Sequence, residues 1–135
     1  MTSAMLTGIR QIKLRETPDP RIENPNDVLL QVSTVGICGS DVHYYVHGRI
    51  ANRYVRYPAT LGHECSGTVE AVGSDVSRVR VGERVAIEPG IPCRRCAHCR
   101  SGRYNLCPEV VFMATPPVHG SLCELVVHPD DFLYP

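Results

Sequence analysis

The sequence has no surplus of charge, no long apolar run and little helical signal. Its 14 basic and 14 acidic residues cancel to a formal charge of zero, so no global field draws the chain toward nucleic acid or an anionic membrane. No apolar span approaches the ~18 residues that mark a membrane-crossing helix. The opening MTSAMLTGIRQIKLRE lacks the basic-then-apolar order of a secretory signal. Together these absences point to a reducing, cytoplasmic setting with no membrane partner. Aromatic residues supply only 6% of the chain, which with the neutral charge argues against a nucleic-acid partner. No internal repeat and no low-complexity segment is present. G-x-G-x-x-G is missing as well. The nearest glycine clusters, Gly36 with Gly39 and Gly62 with Gly67 and Gly73, have the wrong spacing, so a dinucleotide site built from strand, glycine turn and helix finds no place here.

What is present reads as short strands. The length of 135 residues suits one domain able to bury a core, and 11 Gly and 11 Pro punctuate brief apolar stretches. AMLTGI and RQIKLRE form an opening pair of strands about a turn at Gly8. DVLLQVSTVGI, SGTVEAVG, GERVAIEPG and GSLCELVVHP follow, with β-branched content and alternation such as Val69 and Ala71 around Glu70, or Val85 and Ile87 around Ala86. TPDPRIENPND reads as a polar surface loop. The best helix is GSDVHYYVHG, capped by Ser40 or Asp41 and stopped at Gly48. The expected class is mostly β, a barrel or sandwich.

Seven cysteines are many for such a chain. Their odd number, the missing export signal and their clustering favour metal binding over disulfides. Cys93, Cys96, Cys99 and Cys107 follow C-x2-C-x2-C-x7-C, a spacing with which a curled loop can wrap four thiolates around Zn²⁺. Four sulfurs fill a tetrahedral ion and leave no position for substrate, so such a site is structural. An iron–sulfur cluster is the competing occupant. Cys107-Pro108 matches the end of a ferredoxin run, but seven residues stand where that run has three. His98 is expected at the surface. Arg94, Arg95, Arg100 and Arg103 are expected to offset the anionic sulfur core.

A second constellation joins Cys38 in CGSDVH to His63 and Glu64 in GHE, 25 positions on. Sulfur from Cys38, imidazole from His63 and oxygen from Glu64 or water, with one exchangeable position, make an open, catalytic type of zinc site. Cys65 and Cys123, the latter expected in a strand, read as packed thiols. His47, His119 and His128 match no motif.

GICGSDVHYY, LGHECSGTVEAVG, GERVAIEPG, the cysteine lobe and GRYNLCPEVVFMATPP together resemble the zinc-dependent medium-chain alcohol dehydrogenases, most closely their polyol (sorbitol and xylitol) branch. The resemblance extends over essentially all 135 residues. It implies a GroES-like β-barrel with short helices across residues 1–135, carrying a zinc-binding lobe at about 89–108. It implies Cys38, His63 and Glu64 at the catalytic zinc, and Cys93, Cys96, Cys99 and Cys107 at the structural zinc. Ser40 and His43 match the inner and outer steps of a proton relay, and Asp41 the carboxylate that orients the zinc-ligating histidine. Tyr44, Phe112 and Thr115 match positions near the substrate pocket.

The implied activity is NAD-linked oxidation of a secondary alcohol of a sugar alcohol to a ketose, with two zinc ions per chain and homo-oligomers in the full-length form. The Rossmann domain that follows the barrel in that family has not begun at FLYP. The chain therefore reads as a truncated or excised catalytic domain, expected to bind zinc and not to turn over polyols alone. The alternative from a different class is a non-catalytic zinc-ribbon barrel that binds nucleic acid or protein, which leaves Cys38, Ser40, His43, His63 and Glu64 as coincidences.

Overall fold

A computed structural model describes all 135 residues. Strands dominate: β1 (Thr2–Gly8), β2 (Gln11–Glu16), β3 (Asp27–Gly36), β4 (Arg49–Ile50), β5 (Arg53–Tyr54), β6 (Ala59–Thr60), β7 (Glu64–Val72), β8 (Arg84–Ile87), β9 (Gly90–Ile91), β10 (Val111–Phe112), β11 (Leu125–Pro129) and β12 (Leu133–Tyr134). Two short helices interrupt them, α1 (Gly39–His47) and α2 (Ala97–Arg100), together with 3₁₀ turns at Tyr104–Leu106 and Asp130–Phe132. No helix is long and apolar enough to cross a membrane.

The main sheet has five strands in the order β11-β3-β7-β8-β12, every neighbouring pair antiparallel. A three-stranded sheet, β2-β1-β6, lies beside it. The two are stitched by a single bridge, Ser3 to Cys123, and by Ala4 N–H donating to the Leu122 carbonyl at 2.8 Å. The period-2 patterns anticipated for these segments determine which residues face inward. Cys65, Gly67 and Val69 of β7 are buried and Glu64 and Glu70 exposed. Val85 and Ile87 of β8 are buried, Arg84 and Ala86 exposed. Cys65, Val69, Val85 and Ile87 form the principal core with Val28, Leu30 and Leu133. A smaller core of Leu6, Tyr44, Val55 and Leu61 seats α1 against β1. Burying one such aliphatic side chain contributes about 1.5–3 kcal/mol.

The β3–β7 pair positions the chemistry. Its register runs from Val28 opposite Val72 to Gly36 opposite Glu64, with irregularities between Leu29 and Leu30 and between Val32 and Thr34 that bend the strands. Cys38 lies two residues beyond the end of β3, and His63 one residue before the start of β7. Antiparallel pairing thus brings together residues 25 apart in sequence.

The opening strands, the four segments that follow them and α1 fall where the sequence placed them. The cap of α1 differs. Cys38, not Ser40 or Asp41, is the N-cap, in extended conformation with φ −79° and ψ 156°. Ser40 and Asp41 lie inside the first turn, and Asp41 at the third helical position accepts a hydrogen bond from Cys38 N–H at 3.0 Å. Cap preferences are local and modest, and a carboxylate reaching back from the first turn removes the need for a Ser or Asp at the cap itself. Gly48 ends the helix as expected, left-handed at φ 67° with its N–H on the Tyr44 carbonyl at 2.9 Å. Cys123 precedes β11 instead of lying in a strand. Asp27, where the polar loop and the strand were read to meet, starts β3 and is buried, its carboxylate accepting from Asn24 N–H at 3.0 Å.

Candidate metal centres

The cysteine lobe is less irregular than the expected loop. Cys96 caps α2, and its sulfur accepts from Cys99 N–H at 3.5 Å. Cys93 N–H donates to the Cys107 sulfur at 3.3 Å, and Cys96 N–H to the Cys93 sulfur at 3.4 Å. The first turn of α2 aims Cys99 N–H at sulfur, and the segment before it aims those of Cys93 and Cys96. The four Sγ atoms all lie within 4.8 Å of one another. Cys93 and Cys99 sulfurs are 3.9 Å apart, and Cys96 and Cys99 sulfurs 3.4 Å. Both separations are far beyond a disulfide bond of about 2.05 Å. They are close to the ~3.8 Å between sulfurs placed tetrahedrally at Zn–S bonds of about 2.3 Å.

Charge supports the same fit. Backbone N–H groups of Arg95 and Cys96 pull the Cys93 thiol down to about 7, and desolvation with its neighbouring sulfurs pushes Cys99 up to about 12. Cys93 favours the thiolate and Cys99 resists it, and a cation among the four sulfurs offsets the charge that their shared ionisation would bring together. Arg94 pairs with Asp131 at 2.7 Å and lies over the Phe132 ring at 5.3 Å, fastening the lobe to the end of the main sheet. Arg95 pairs with Glu109 at 2.6 Å. These two arginines, expected to offset the sulfur charge, are engaged by carboxylates. His98, expected at the surface, is half-buried, with Nδ1 closed off from solvent and without a hydrogen-bond partner.

The second cluster is assembled across the sheet. The Cys38 sulfur, a His63 ring nitrogen and a Glu64 carboxylate oxygen lie within 4.8 Å of one another. Cys38 and His63 are half-buried and Glu64 is exposed, so the cluster opens to solvent on one side. Soft sulfur, borderline nitrogen and oxygen suit zinc, and three protein donors leave a coordination position free.

Asp41 stands beneath it. Only 3% exposed, it accepts from Cys38 N–H at 3.0 Å with one carboxylate oxygen and from Gly62 N–H at 2.9 Å with the other. One side chain thus ties the two donor-bearing segments together, within the first turn of α1 where the helix field favours a carboxylate. Its approach to His63 Nδ1 is 3.8 Å, too long for a hydrogen bond. The backbone bonds, which sequence reasoning missed, are its direct contacts in this structure.

Two glycines make room for this arrangement. Gly62 has φ 87°, and a Cβ there would come 2.8 Å from Val35 Cγ1. A Cβ on Gly36 would come 2.7 Å from the Glu64 carboxylate.

Phe112, held in β10 by pairing with Gly90, meets the His63 ring edge-on at 5.5 Å. Tyr44 is buried in the smaller core, where desolvation raises its phenol and Arg53 and the Thr115 hydroxyl pull the other way. Ser40 is half-buried and His43 exposed on the same helix. Cys65 and Cys123 are packed thiols. Burial raises the first, and raises the second to about 11.

The profile of the alcohol dehydrogenase GroES-like domain matches residues 24–135. The chain belongs to this family. D-xylulose reductase A of Aspergillus niger is 53% identical over 132 residues, covering 98% of this chain and 37% of that protein. Sorbitol dehydrogenase of Bacillus subtilis is 51% identical over 134 residues, covering 99% and 38%. Among solved structures, an Escherichia coli oxidoreductase/dehydrogenase of unknown specificity superposes with a TM-score of 0.90 at 43% identity, covering 98% of this chain and 39% of that one. The chain spans little more than a third of the length of these relatives. Its mostly-β fold is accordingly GroES-like, and its family is one of dehydrogenases.

Proposed function

We propose that these residues form the zinc-binding catalytic domain of an NAD-linked polyol dehydrogenase, oxidising a secondary alcohol of a sugar alcohol of the sorbitol or xylitol type to a ketose. The observation that carries the reading is the pairing of two unlike clusters in one chain, Cys38 with His63 and Glu64 open on one side, and four cysteines closed upon themselves. The names of the relatives give the substrate class. Seven free thiols suit a reducing cytoplasm.

Cys38, His63 and Glu64 would hold the catalytic zinc, and Cys93, Cys96, Cys99 and Cys107 the structural one. When bound at the open cluster, zinc supplies Lewis acidity that lowers the pKa of an oxygen donor. Asp41 fixes the spacing of the Cys38 and His63 segments through its two backbone bonds. Phe112 walls one side of the His63 ring and excludes water there. Ser40, on the first turn of α1, takes the proton released from the substrate hydroxyl. His43, one turn on and facing solvent, passes it outward. Tyr44 and Thr115 complete the wall beyond Phe112. The nicotinamide binds mainly through a nucleotide-binding domain outside residues 1–135, so these residues alone are expected to bind zinc without reducing NAD.

Metal analysis with a polyol titration tests the reading. Two zinc ions per chain are expected, the one at Cys38 leaving first under a chelator. Cobalt substituted at that position is expected to change its visible spectrum when xylitol or sorbitol is added. A single ion per chain that survives Cys38→Ala, or a cobalt spectrum indifferent to polyol, would overturn it.

A further inference from the structure

His43 and His47 carry chemistry that a proton path does not account for. They stand four residues apart on α1, hence on one face of the helix. Their rings lie 5.6 Å apart, centroid to centroid, at 39°. Both are exposed, and both border a surface depression of about 520 Å³ shared with Arg49, Ile50 and Ala51.

We infer that this pair is a third metal site, chelating a divalent transition ion that zinc does not displace (Cu²⁺ or Ni²⁺) on the outer face of α1. Two imidazoles bound to one ion through N–metal bonds of about 2 Å have ring centroids roughly 5 Å apart. The observed separation needs only small side-chain rotations to reach that value. The backbone beneath is held for it. Asp41 bonds fix the start of α1, Gly48 closes its end, and buried Tyr44 seats the turn between the two histidines. The depression leaves the remaining positions of such an ion open to solvent. Arg49, which lines the depression, is engaged with the Ala51 carbonyl at 3.0 Å and lies over the Tyr54 ring at 5.8 Å. Imidazole-only ligation favours copper and nickel over the harder cations, and distinguishes this site from the two sulfur-bearing clusters. The inference concerns binding and stands without the catalytic reading. Where that reading holds, an ion here occupies the imidazole assigned to proton exit.

The test uses the full chain loaded first with zinc, so that the sulfur-bearing clusters are filled, and then titrated with Cu²⁺–iminodiacetate under electron paramagnetic resonance. One tightly bound equivalent with two imidazole nitrogens is expected. His47→Gln and His43→Gln should each weaken it by roughly a hundredfold, the loss when a chelate becomes a single ligand, and leave a one-imidazole signature. His119→Gln should leave it unchanged. Both positions are exposed on the helix, and circular dichroism of each variant verifies that α1 persists. A one-imidazole spectrum in the parent, or parent-like binding in folded His47→Gln, would overturn the assignment.

Discussion

Replacing Asp41 with alanine removes the acceptor of two backbone N–H groups at once. Cys38 N–H at 3.0 Å and Gly62 N–H at 2.9 Å both end on this carboxylate, which is only 3% exposed. A hydrogen bond to a charged group contributes about 1.5–3 kcal/mol, and a buried donor left without a partner costs a similar amount. Two such bonds give a loss of about 3–6 kcal/mol. The carboxylate also gains about 0.3–1 kcal/mol from its place in the first turn of α1. Its own burial works against these terms, since alanine needs no desolvation of charge. The net expectation is about 3 kcal/mol, a large share of the roughly 5–15 kcal/mol that holds a domain folded.

Asp41→Asn separates the contributions. It retains the shape and one acceptor oxygen but turns an NH₂ toward the second N–H, so about half the loss should remain. Urea unfolding followed by circular dichroism measures both variants, and zinc retention at the Cys38 cluster is read against the four-cysteine lobe as an internal reference. Both variants should loosen the Cys38 metal and leave the lobe metal in place. A loss below about 1 kcal/mol in Asp41→Ala, with both metals held as in the parent, would refute the argument that this carboxylate ties the two segments together, since two charge-assisted bonds cannot be that weak.

Gly62→Ala forces a side chain into a backbone at φ 87° and against Val35. It should cost about 1–3 kcal/mol and, by shifting His63, release the Cys38-site metal at lower chelator concentration, as read by denaturation and elemental analysis. Cys96→Ser should reduce the metal content from two ions to one while Cys38→Ala removes the other. Limited proteolysis should then cut first within the lobe at about 89–108, because its sulfurs are no longer cross-linked. Burial holds the His128 imidazole below its ordinary value, although its hydrogen bond with the Glu88 carbonyl and the nearby charges of Asp131, Asp27 and Glu88 pull it up. As pH falls the unfolded chain takes up this proton before the folded one, so stability drops below about pH 6.5 with a slope of at most ~1.4 kcal/mol per pH unit. His128→Gln, which keeps a donor for Glu88, should flatten that part of the urea-midpoint profile. An unchanged profile would show that His128 is not the group responsible.

The sequence was most legible where structure follows from near neighbours. Alternation in SGTVEAVG and GERVAIEPG identified the buried faces of β7 and β8, and Gly48 marked the end of α1. The strands β4, β5, β6, β9, β10 and β12 are two residues each, too short to show a period. The cap of α1 was misassigned because Ser40 and Asp41 carry the local preference, whereas the fold uses Asp41 one turn inside to serve Cys38. The bond from Gly62 to Asp41 spans 21 positions and the pairing of Arg94 with Asp131 spans 37. Neither leaves a trace in a local pattern. The burial of His128 did leave one. It shares the inward face of β11 with Val126, two residues earlier, and the same alternation that identified the other strands would have placed it in the interior.

The two sulfur-bearing clusters show why one was plain in the sequence and the other required a resemblance. The four sulfurs of the lobe lie within 15 residues, and N–H groups from those same residues orient them. Spacing alone therefore carries most of the information needed to close the lobe around an ion. Cys38 and His63 have no such local logic. They meet because Gly36 pairs with Glu64 at the end of a long antiparallel ladder and because Asp41 joins the chain on either side. A closed site can thus be specified by a short motif, while an open one depends on the whole β3–β7 pair, on the bend in it and on a glycine in a left-handed turn. Mutations far from the Cys38 cluster but within that ladder should loosen its metal more than they loosen the lobe's, because only the first site inherits its geometry from the sheet.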